Sequence, residues 1–531
     1  MTEREQDRLS LRHETWLAGC VALLPSLMAL AYCLPRNMLL LYGDAVAHLH
    51  IARRIFDSLN PGFRQLGSVW LPLPHLLLLP FVQRASWWQS GLAGAWPSMA
   101  CYVLGCAGMY RLARIWLRPL TAIVAALFYA LNPGLLYMQT TAMTEPLFLA
   151  EMIWSALLIA EHGRALKAGE QQRASRLLIA AGLVLVGAVF TRYDGWIFAA
   201  LAWLIVLWNM RGHLRERAGG AFVLFTALLV AAPLFWLAYN AKQFGDPLDF
   251  MRGPYSAKAI DARTTAPGSA HYPGWHSMRV ASLYFLKAAE MGAVPLRWGN
   301  ALLWFSVAGT AIAVWTRRSR KIAAALLLWI PLPFYAYSIA YGSVPIFIPL
   351  WWPHSFYNTR YGMEILPVFA LFLAFLVDWC ADFADERRPQ AGAWLTGLVL
   401  VLMAVNSVVL ARALPLVLQE AIANSRTRIP FERSLAQALL IMPDQGMILM
   451  HTSDHVGALQ QAGIPLKRTI NEGDYYQWPG ALKNPAQSAA IVVALDGDAV
   501  ADAVAAHPDG LTLVNVVCST GQPCARIYLA K

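Results

Sequence analysis

Apolar runs of membrane-crossing length recur along the chain, separated by short polar stretches. They lie near residues 16–35, 91–110, 120–138, 146–161, 177–191, 195–209, 221–239, 300–316, 321–341, 362–380 and 391–413. At roughly 20 residues per crossing, this pattern predicts about eleven spanning helices. Residues 69–81, VWLPLPHLLLLPF, are also apolar but short and interrupted by Pro72, Pro74 and Pro80. They are expected to form a re-entrant or surface-lying element. After Leu414 the pattern changes. GMILMHT and AAIVVALD read as buried strands, DAVADAVAAH as a helix, and LTLVNVVCS with ARIYLAK as a closing strand pair. The expected fold is an α-helical polytopic membrane protein with a small C-terminal α/β domain.

Composition sharpens this picture. Hydrophobic residues make up 58% of the chain and charged residues only 14%, which excludes an ordinary soluble domain. A net charge of +11 would suit nucleic acid, but the basic residues fall in clusters between apolar runs, so no nucleic-acid partner is expected. The clusters are Arg4, Arg8 and Arg12; Arg111, Arg114 and Arg118; Arg164, Lys167, Arg173 and Arg176; Arg211, Arg215 and Arg217; Arg317, Arg318, Arg320 and Lys321; and Arg387 with Arg388. They occupy every second loop, which places those loops in the cytoplasm. The first outer loop runs against the rule, with Arg36, Arg53, Arg54, Arg64 and Arg84. The implied organisation is a cytoplasmic N-terminus (1–15), a transmembrane module (16–413) and an extracytoplasmic domain (414–531). The module carries a first outer loop (36–90) and a long outer loop (241–299). The first apolar run lacks a small-residue cleavage site and reads as an anchor. Cys518 and Cys524 lie in the outer domain, where CSTGQPC is placed to close a small disulfide loop.

With that topology, five ionisable residues converge on the outer interface: Asp44, Glu145, Arg192, Asp194 and Arg360. Charges near membrane spans are costly and mark functional positions. Each also has a plainer reading. Asp44 suits a helix N-cap. It opens a segment in which Val46, Leu49, Ala52, Ile55, Phe56 and Leu59 recur at helical spacing, as in a helix lying on the membrane surface. His48 and His50 suit interfacial hydrogen bonding, and Arg53, Arg54 and Asp57 a solvated side. Glu145 precedes Pro146 and favours a helix dipole. Arg192 and Asp194 suit a mutual pair, and Arg360 beside Tyr361 an interface anchor. Asp44 and His48 share a helical face, so a divalent metal held by Asp44, His48 and Glu145 stays open. The aromatic stretch YYQWPG in the outer domain offers faces for stacking on a sugar ring.

These residues resemble the motifs of the glycosyltransferase-C superfamily, most of all protein O-mannosyltransferases and the aminoarabinose transferases that modify lipid A. GDAVAHLHIAR is similar to the first-loop acidic motif. GSVWLPLPHLLLLPF resembles the proline-bearing juxtamembrane helix, TEPLFL the second acidic site, and YNTRYGMEILPVFAL a late motif of bacterial members. The likeness covers roughly residues 15–410. One departure stands out: many members carry two adjacent acidic residues in the first loop, and here Gly43 precedes Asp44.

The resemblance implies an enzyme of the bacterial inner membrane. It would move a hexosyl or pentosyl group from a polyprenyl-phosphate donor, with inversion, to a lipid, glycan or protein acceptor on the outer face. Asp44 is the expected base, Glu145 the second catalytic carboxylate, and Arg360 then Arg192 the donor-phosphate ligands. His48, Asp194 and Tyr361, with Tyr255 and Lys258 from the long loop after Asn240, are expected at the substrate. The alternative is a transporter or flippase of a lipid-linked or small solute, which calls for charges near the bilayer midplane and paired broken spans.

Overall fold

The computed structural model describes residues 3–266, 268–316, 322–443 and 446–531, with side chains from Leu9 onward. The basic cluster Arg317, Arg318, Arg320 and Lys321, and the side chains of Arg4 and Arg8, lie outside the described residues. Helices dominate. Those that frame the site are, in chain order, α1 (Glu3–Cys33), α2 (Gly43–Arg54), α3 (Pro72–Val82), α4 (Leu92–Ala113), α5 (Glu145–Lys167), α6 (Gln171–Thr191), α7 (Asp194–Met210), α8 (Met278–Ala293), α9 (Leu366–Arg387) and α10 (Leu416–Ile441).

The expected apolar segments are helical. Among the described residues, eight helices are long and apolar enough to cross a membrane. The other three expected spans fall outside that set for identifiable reasons. The 120–138 segment is broken into Pro119–Ala130 and Pro133–Met138, because the Asn132 side chain caps the second piece by accepting from Leu135 N at 3.0 Å. The 195–209 segment is the 17-residue α7. The 146–161 segment lies in α5, whose Glu151, Glu161 and His162 are buried among other helices. The proline-rich 69–81 stretch forms the 11-residue α3, too short to cross.

The tail forms a five-stranded sheet from β1 (Ile448–Met450), β2 (Thr469–Ile470), β3 (Ile491–Leu495), β4 (Leu511–Val517) and β5 (Ala525–Ala530), in the order β2-β1-β3-β5-β4. β1 runs parallel to β2 and β3, while β5 is antiparallel to β3 and β4. The two strands predicted from GMILMHT and AAIVVALD, and the final pair, are all present; β2 was not expected. Cys518 and Cys524 are disulfide-bonded across the β4–β5 connection.

Two expectations about the outer loops need correction. α2 does not lie on the membrane surface with one solvated side. Ala45, Val46, His48, Leu49, His50, Ile51 and Ala52 are all buried, and the helix stops at Arg54, leaving Phe56 exposed beyond it. The tail covers it. Leu59 N donates to Asp474 Oδ1 at 3.2 Å, Gln65 Nε2 to Gly473 O at 3.0 Å, and Lys467 N to Asp57 Oδ1 at 3.2 Å. This also explains the basic residues that break the loop rule. Arg53 pairs with Asp57 at 2.8 Å, Arg54 donates to Gln65 O at 2.6 Å, and Arg64 stacks 3.9 Å from the Tyr475 ring. Arg53 and Arg54 brace the loop itself and Arg64 fastens it to the tail, so their positive charge serves the fold. The second correction concerns 241–299. This stretch is not structureless: it holds the 16-residue α8, whose buried face includes Tyr284, Phe285, Ala288 and Ala289.

Candidate active site

Four separate pieces of chain meet at one end of the helices, the end where α5 begins. Asp44 sits in the first turn of α2, whose N-cap position is Tyr42 rather than Asp44, so the capping reading is corrected. Tyr42 is pinned by its hydroxyl, which donates to Val417 O at 2.8 Å. This leaves the Asp44 carboxylate free to point elsewhere. Glu145 opens α5 directly before Pro146 and is fully buried. Arg192 ends α6 in an extended conformation, with φ −150° and ψ 153°, and Asp194 opens α7. The reversal is tight because position 195 is glycine: a Cβ there would lie 2.2 Å from Ala188 O. Arg360 and Tyr361 sit in a 3-10 turn over Thr359–Ile365. That turn packs on α8 at Gly362, where a Cβ would lie 2.5 Å from Ala289 N.

The five charged candidates form one connected network. Arg360 Nη2 lies 2.5 Å from Asp44 Oδ2, its Nε 3.2 Å from Glu145 Oε1, and its Nη1 3.4 Å from Glu420 Oε1. Arg192 reaches the same Glu145 oxygen through Nη1 at 3.5 Å, Asp194 Oδ1 at 3.5 Å and Glu364 Oε1 at 3.1 Å. Its tight hydrogen bonds go to the hydroxyls of Tyr335 at 2.5 Å and Thr144 at 2.9 Å. Both guanidinium carbons sit near the Tyr361 ring, at 5.0 and 4.9 Å from its centroid. Glu145 is thus shared between two arginines. The long contacts contribute charge more than directed hydrogen bonds: neither Nε is aligned to donate to its carboxylate.

Three members of this network escaped the sequence reading. Glu364 follows Arg360 by four residues within the late motif, and the Tyr335 hydroxyl donates to it at 2.8 Å. Glu420 comes from α10, past the last predicted span. It accepts from the Thr359 backbone N at 2.9 Å and from the Thr359 hydroxyl at 2.5 Å. A lone glutamate in the apolar stretch LPLVLQEAI was the available signal. Five carboxylates therefore surround two guanidiniums. Glu145 Oε2 and Glu364 Oε2 are buried without a hydrogen-bond partner among the described residues.

The remaining candidates lie elsewhere. His48 does not join the acids; its Nδ1 is 2.9 Å from His75 Nε2, and its ring lies 4.4 Å from that of Trp70. Burial, with Arg360 and Arg192 adding to it, pushes His48 down to about 3. His75 and His50 are pushed well down by burial too, and His50 has no hydrogen-bond partner on either ring nitrogen. Among the described residues no group of three or more His, Cys, Asp and Glu side chains is placed to hold a metal. His48 is thus not grouped with Asp44 and Glu145, whose carboxylates face Arg360. Tyr255 and Lys258 are exposed on the short helical turns after α7's neighbouring span, and no ion pair or hydrogen bond ties either to the network. In YYQWPG, Tyr475 already carries Arg64 on its ring, while Tyr476 is exposed.

The helical bundle with its small sheet domain has the glycosyltransferase-C fold expected from the motifs, as superposition on a solved structure shows. Across 96% of this chain and 97% of the other, it superimposes on ArnT from Cupriavidus metallidurans bound to undecaprenyl phosphate, with a TM-score of 0.56 at 14% identity. The oligosaccharyltransferase AglB from Archaeoglobus fulgidus, in complex with an inhibitory peptide and a dolichol-phosphate, matches 90% of this chain and 69% of its own, with a TM-score of 0.50 at 12% identity. In sequence, the family described as dolichyl-phosphate-mannose-protein mannosyltransferase matches residues 87–236. The undecaprenyl phosphate-alpha-4-amino-4-deoxy-L-arabinose arabinosyl transferase of Pseudomonas aeruginosa strain UCBPP-PA14 is 28% identical over 304 residues, 53% of this chain and 50% of the relative. The chain thus spans about half the length of the curated relatives it matches first.

Proposed function

We propose that the chain is a multi-pass membrane glycosyltransferase. It moves a hexosyl or pentosyl group from a polyprenyl-phosphate donor to a lipid, glycan or protein acceptor on the outer face of a bacterial inner membrane. The N-terminus is cytoplasmic, residues 16–413 form the catalytic module, and 414–531 form the extracytoplasmic domain. The observation that carries the reading is the half-open ion pair at the edge of the network. The Asp44 side chain is 40% exposed and Arg360 only 9%, with Glu145 fully buried behind them. Support also comes from the shared fold with an ArnT solved with undecaprenyl phosphate bound.

The chemistry follows from charge. A polyprenyl-phosphate sugar is a phosphodiester with one negative charge. Entering at Arg360, it takes the place of the single tightly bonded carboxylate, Asp44, on that guanidinium. Arginine presents a planar fork suited to phosphate oxygens, and the misaligned Nε–H groups of Arg360 and Arg192 are donors still to be used. Displaced from its arginine, Asp44 has a carboxylate oxygen free to take a proton. The acceptor hydroxyl or amine attacks the anomeric carbon, its proton passes to Asp44, and the bond from carbon to phosphate oxygen breaks. Attack opposite the leaving phosphate inverts the configuration. The departing phosphate monoester gains negative charge, which the two guanidiniums stabilise in a dry setting where such preorganised charge is worth several kcal/mol. Glu145, through its open Oε2, orients a hydroxyl of the sugar or acceptor. No step is routed through a metal.

The test is transfer of label from a panel of radiolabelled polyprenyl-phosphate sugars to a membrane extract, by wild type and Asp44→Asn. Asn retains the size of Asp but takes no proton. A loss of about 100-fold or more fits a missing general base. Equal transfer by both proteins would move the base elsewhere in the network. No transfer or donor binding by wild type would end the enzyme reading.

A further inference from the structure

At the other end of α5 lies a second feature, unrelated to the chemistry above. Glu145 and Arg164 are both on this helix, and its rise of about 1.5 Å per residue puts them roughly 29 Å apart, close to the ~30 Å thickness of a hydrocarbon core. Here α1, α4 and α5 enclose a groove of about 880 Å³, with Arg12, Arg164, Trp16 and Leu23 among its lining residues. That volume lies within the roughly 300–1,000 Å³ typical of ligand sites.

The groove is graded from cationic to apolar. At its mouth, Arg111 and Arg173 are spent on Glu161, at 2.8 and 3.5 Å. Arg12 and Arg164 are exposed and make no ion pair among the described residues. From Arg12 the wall of α1 descends past Trp16 to Leu23, about 16 Å along the helix axis. This is the depth of one leaflet, about half the hydrocarbon core. Trp16 is 67% exposed and stands one turn below Arg12, the level at which tryptophan marks a membrane–water interface.

We propose that this groove binds an anionic phospholipid of the leaflet opposite the Asp44–Arg360 site. The headgroup phosphate sits between Arg12 and Arg164, and one acyl chain lies along α1 toward Leu23. The charge complementarity selects an anionic headgroup, and the one-leaflet apolar depth selects a lipid over a free anion. The proposal does not depend on the transferase reading.

The full-length protein in detergent is mixed with phosphatidylglycerol or phosphatidylcholine of matched chains, and retained lipid is read by native mass spectrometry. Wild type should retain phosphatidylglycerol at least tenfold over phosphatidylcholine. Arg12→Ala with Arg164→Ala should cut phosphatidylglycerol retention at least fivefold, while Arg388→Ala, an exposed arginine outside the groove, should not. Leu23→Trp, which fills the apolar end and keeps both cations, should lower retention too. Equal retention of both lipids by wild type would overturn the proposal, as would wild-type retention by both groove variants. Displacement of the lipid by an equal concentration of inorganic phosphate would also overturn it, by showing an anion site without lipid specificity.

Discussion

Arg360 Nη2 lies 2.5 Å from Asp44 Oδ2, joining positions 316 residues apart in sequence. One partner opens the first outer helix, and the other sits in the 3-10 turn before α9. The pair holds the proposed base in place at rest and occupies one of its oxygens. Donor entry at Arg360 would couple phosphate binding to release of the base, so the carboxylate becomes reactive only when a sugar donor is present.

Arg360→Lys should therefore do more damage than conservation of charge suggests. Lysine offers a compact point charge and no planar fork, so it can serve Asp44 or Glu420 but not both together with Glu145. Transfer kinetics should show KM for the donor raised at least tenfold, with kcat also lowered. Unchanged donor KM would separate Arg360 from phosphate binding.

Glu420 acts through Arg360 and is a positioning residue. In Glu420→Gln the side-chain oxygen still accepts from the Thr359 N and hydroxyl, bonds now at 2.9 and 2.5 Å. Its charge toward Arg360 and the long acceptor contact at 3.4 Å to Arg360 Nη1 are lost. The expected result is a drop in kcat/KM of roughly tenfold with little change in thermal stability, since the hydrogen bonds persist and the lost contact is a long one. Glu420→Asp should recover part of the activity. Full activity in the Gln variant would remove the α10 contact from the mechanism.

Glu145→Ala makes a different demand. The carboxylate is fully buried and lies within 3.5 Å of both Arg192 and Arg360. Removing one partner from a buried ion pair costs roughly 3–5 kcal/mol, because the remaining charges stay dry and less well compensated. Thermal unfolding in detergent should show a clear loss of stability beside the loss of transfer. Glu145→Gln should unfold later than the Ala variant, since its amide oxygen still accepts. Wild-type stability in Glu145→Ala would mean that the remaining four carboxylates already balance the arginines.

The legibility of this site in sequence was uneven. Asp44, Glu145, Arg192, Asp194 and Arg360 were found together because a basic-loop count assigns a membrane face, and polar residues left on the other face stand out. Glu420 was missed because it lies past the last predicted span, in a stretch attributed to a separate domain; α10 returns it to the arginine. Tyr335 was hidden within an apolar run, where a tyrosine reads as filler. The buried state of α2 was also not legible. Its periodicity describes one apolar face, and packing from distant chain, such as His75 of α3 on His48, covers the rest. In 146–161 the helix is present as expected, but length and hydropathy alone do not distinguish a lipid-facing helix from one such as α5, whose Glu151, Glu161 and His162 are buried among its neighbours.

The histidines of the first outer loop make stability depend on pH in a definite direction. His48 falls from its ordinary 6.5 to about 3 in the folded protein, through burial and then the charges of Arg360 and Arg192. Between those values the unfolded chain binds a proton there that the folded chain does not. Stability is therefore full above about 6.5 and declines as the pH falls through that window, by at most ~1.4 kcal/mol per pH unit for each such group. His50 and His75 are displaced the same way, so the effects reinforce one another. The unfolding midpoint in detergent should be lower at pH 5 than at pH 7.5. His48→Gln, which retains a hydrogen-bonding partner for His75 but does not titrate, should shrink that difference. An identical difference in the variant would show that acid destabilisation arises elsewhere, and would leave the His48–His75 contact at 2.9 Å as packing without a proton-linked cost.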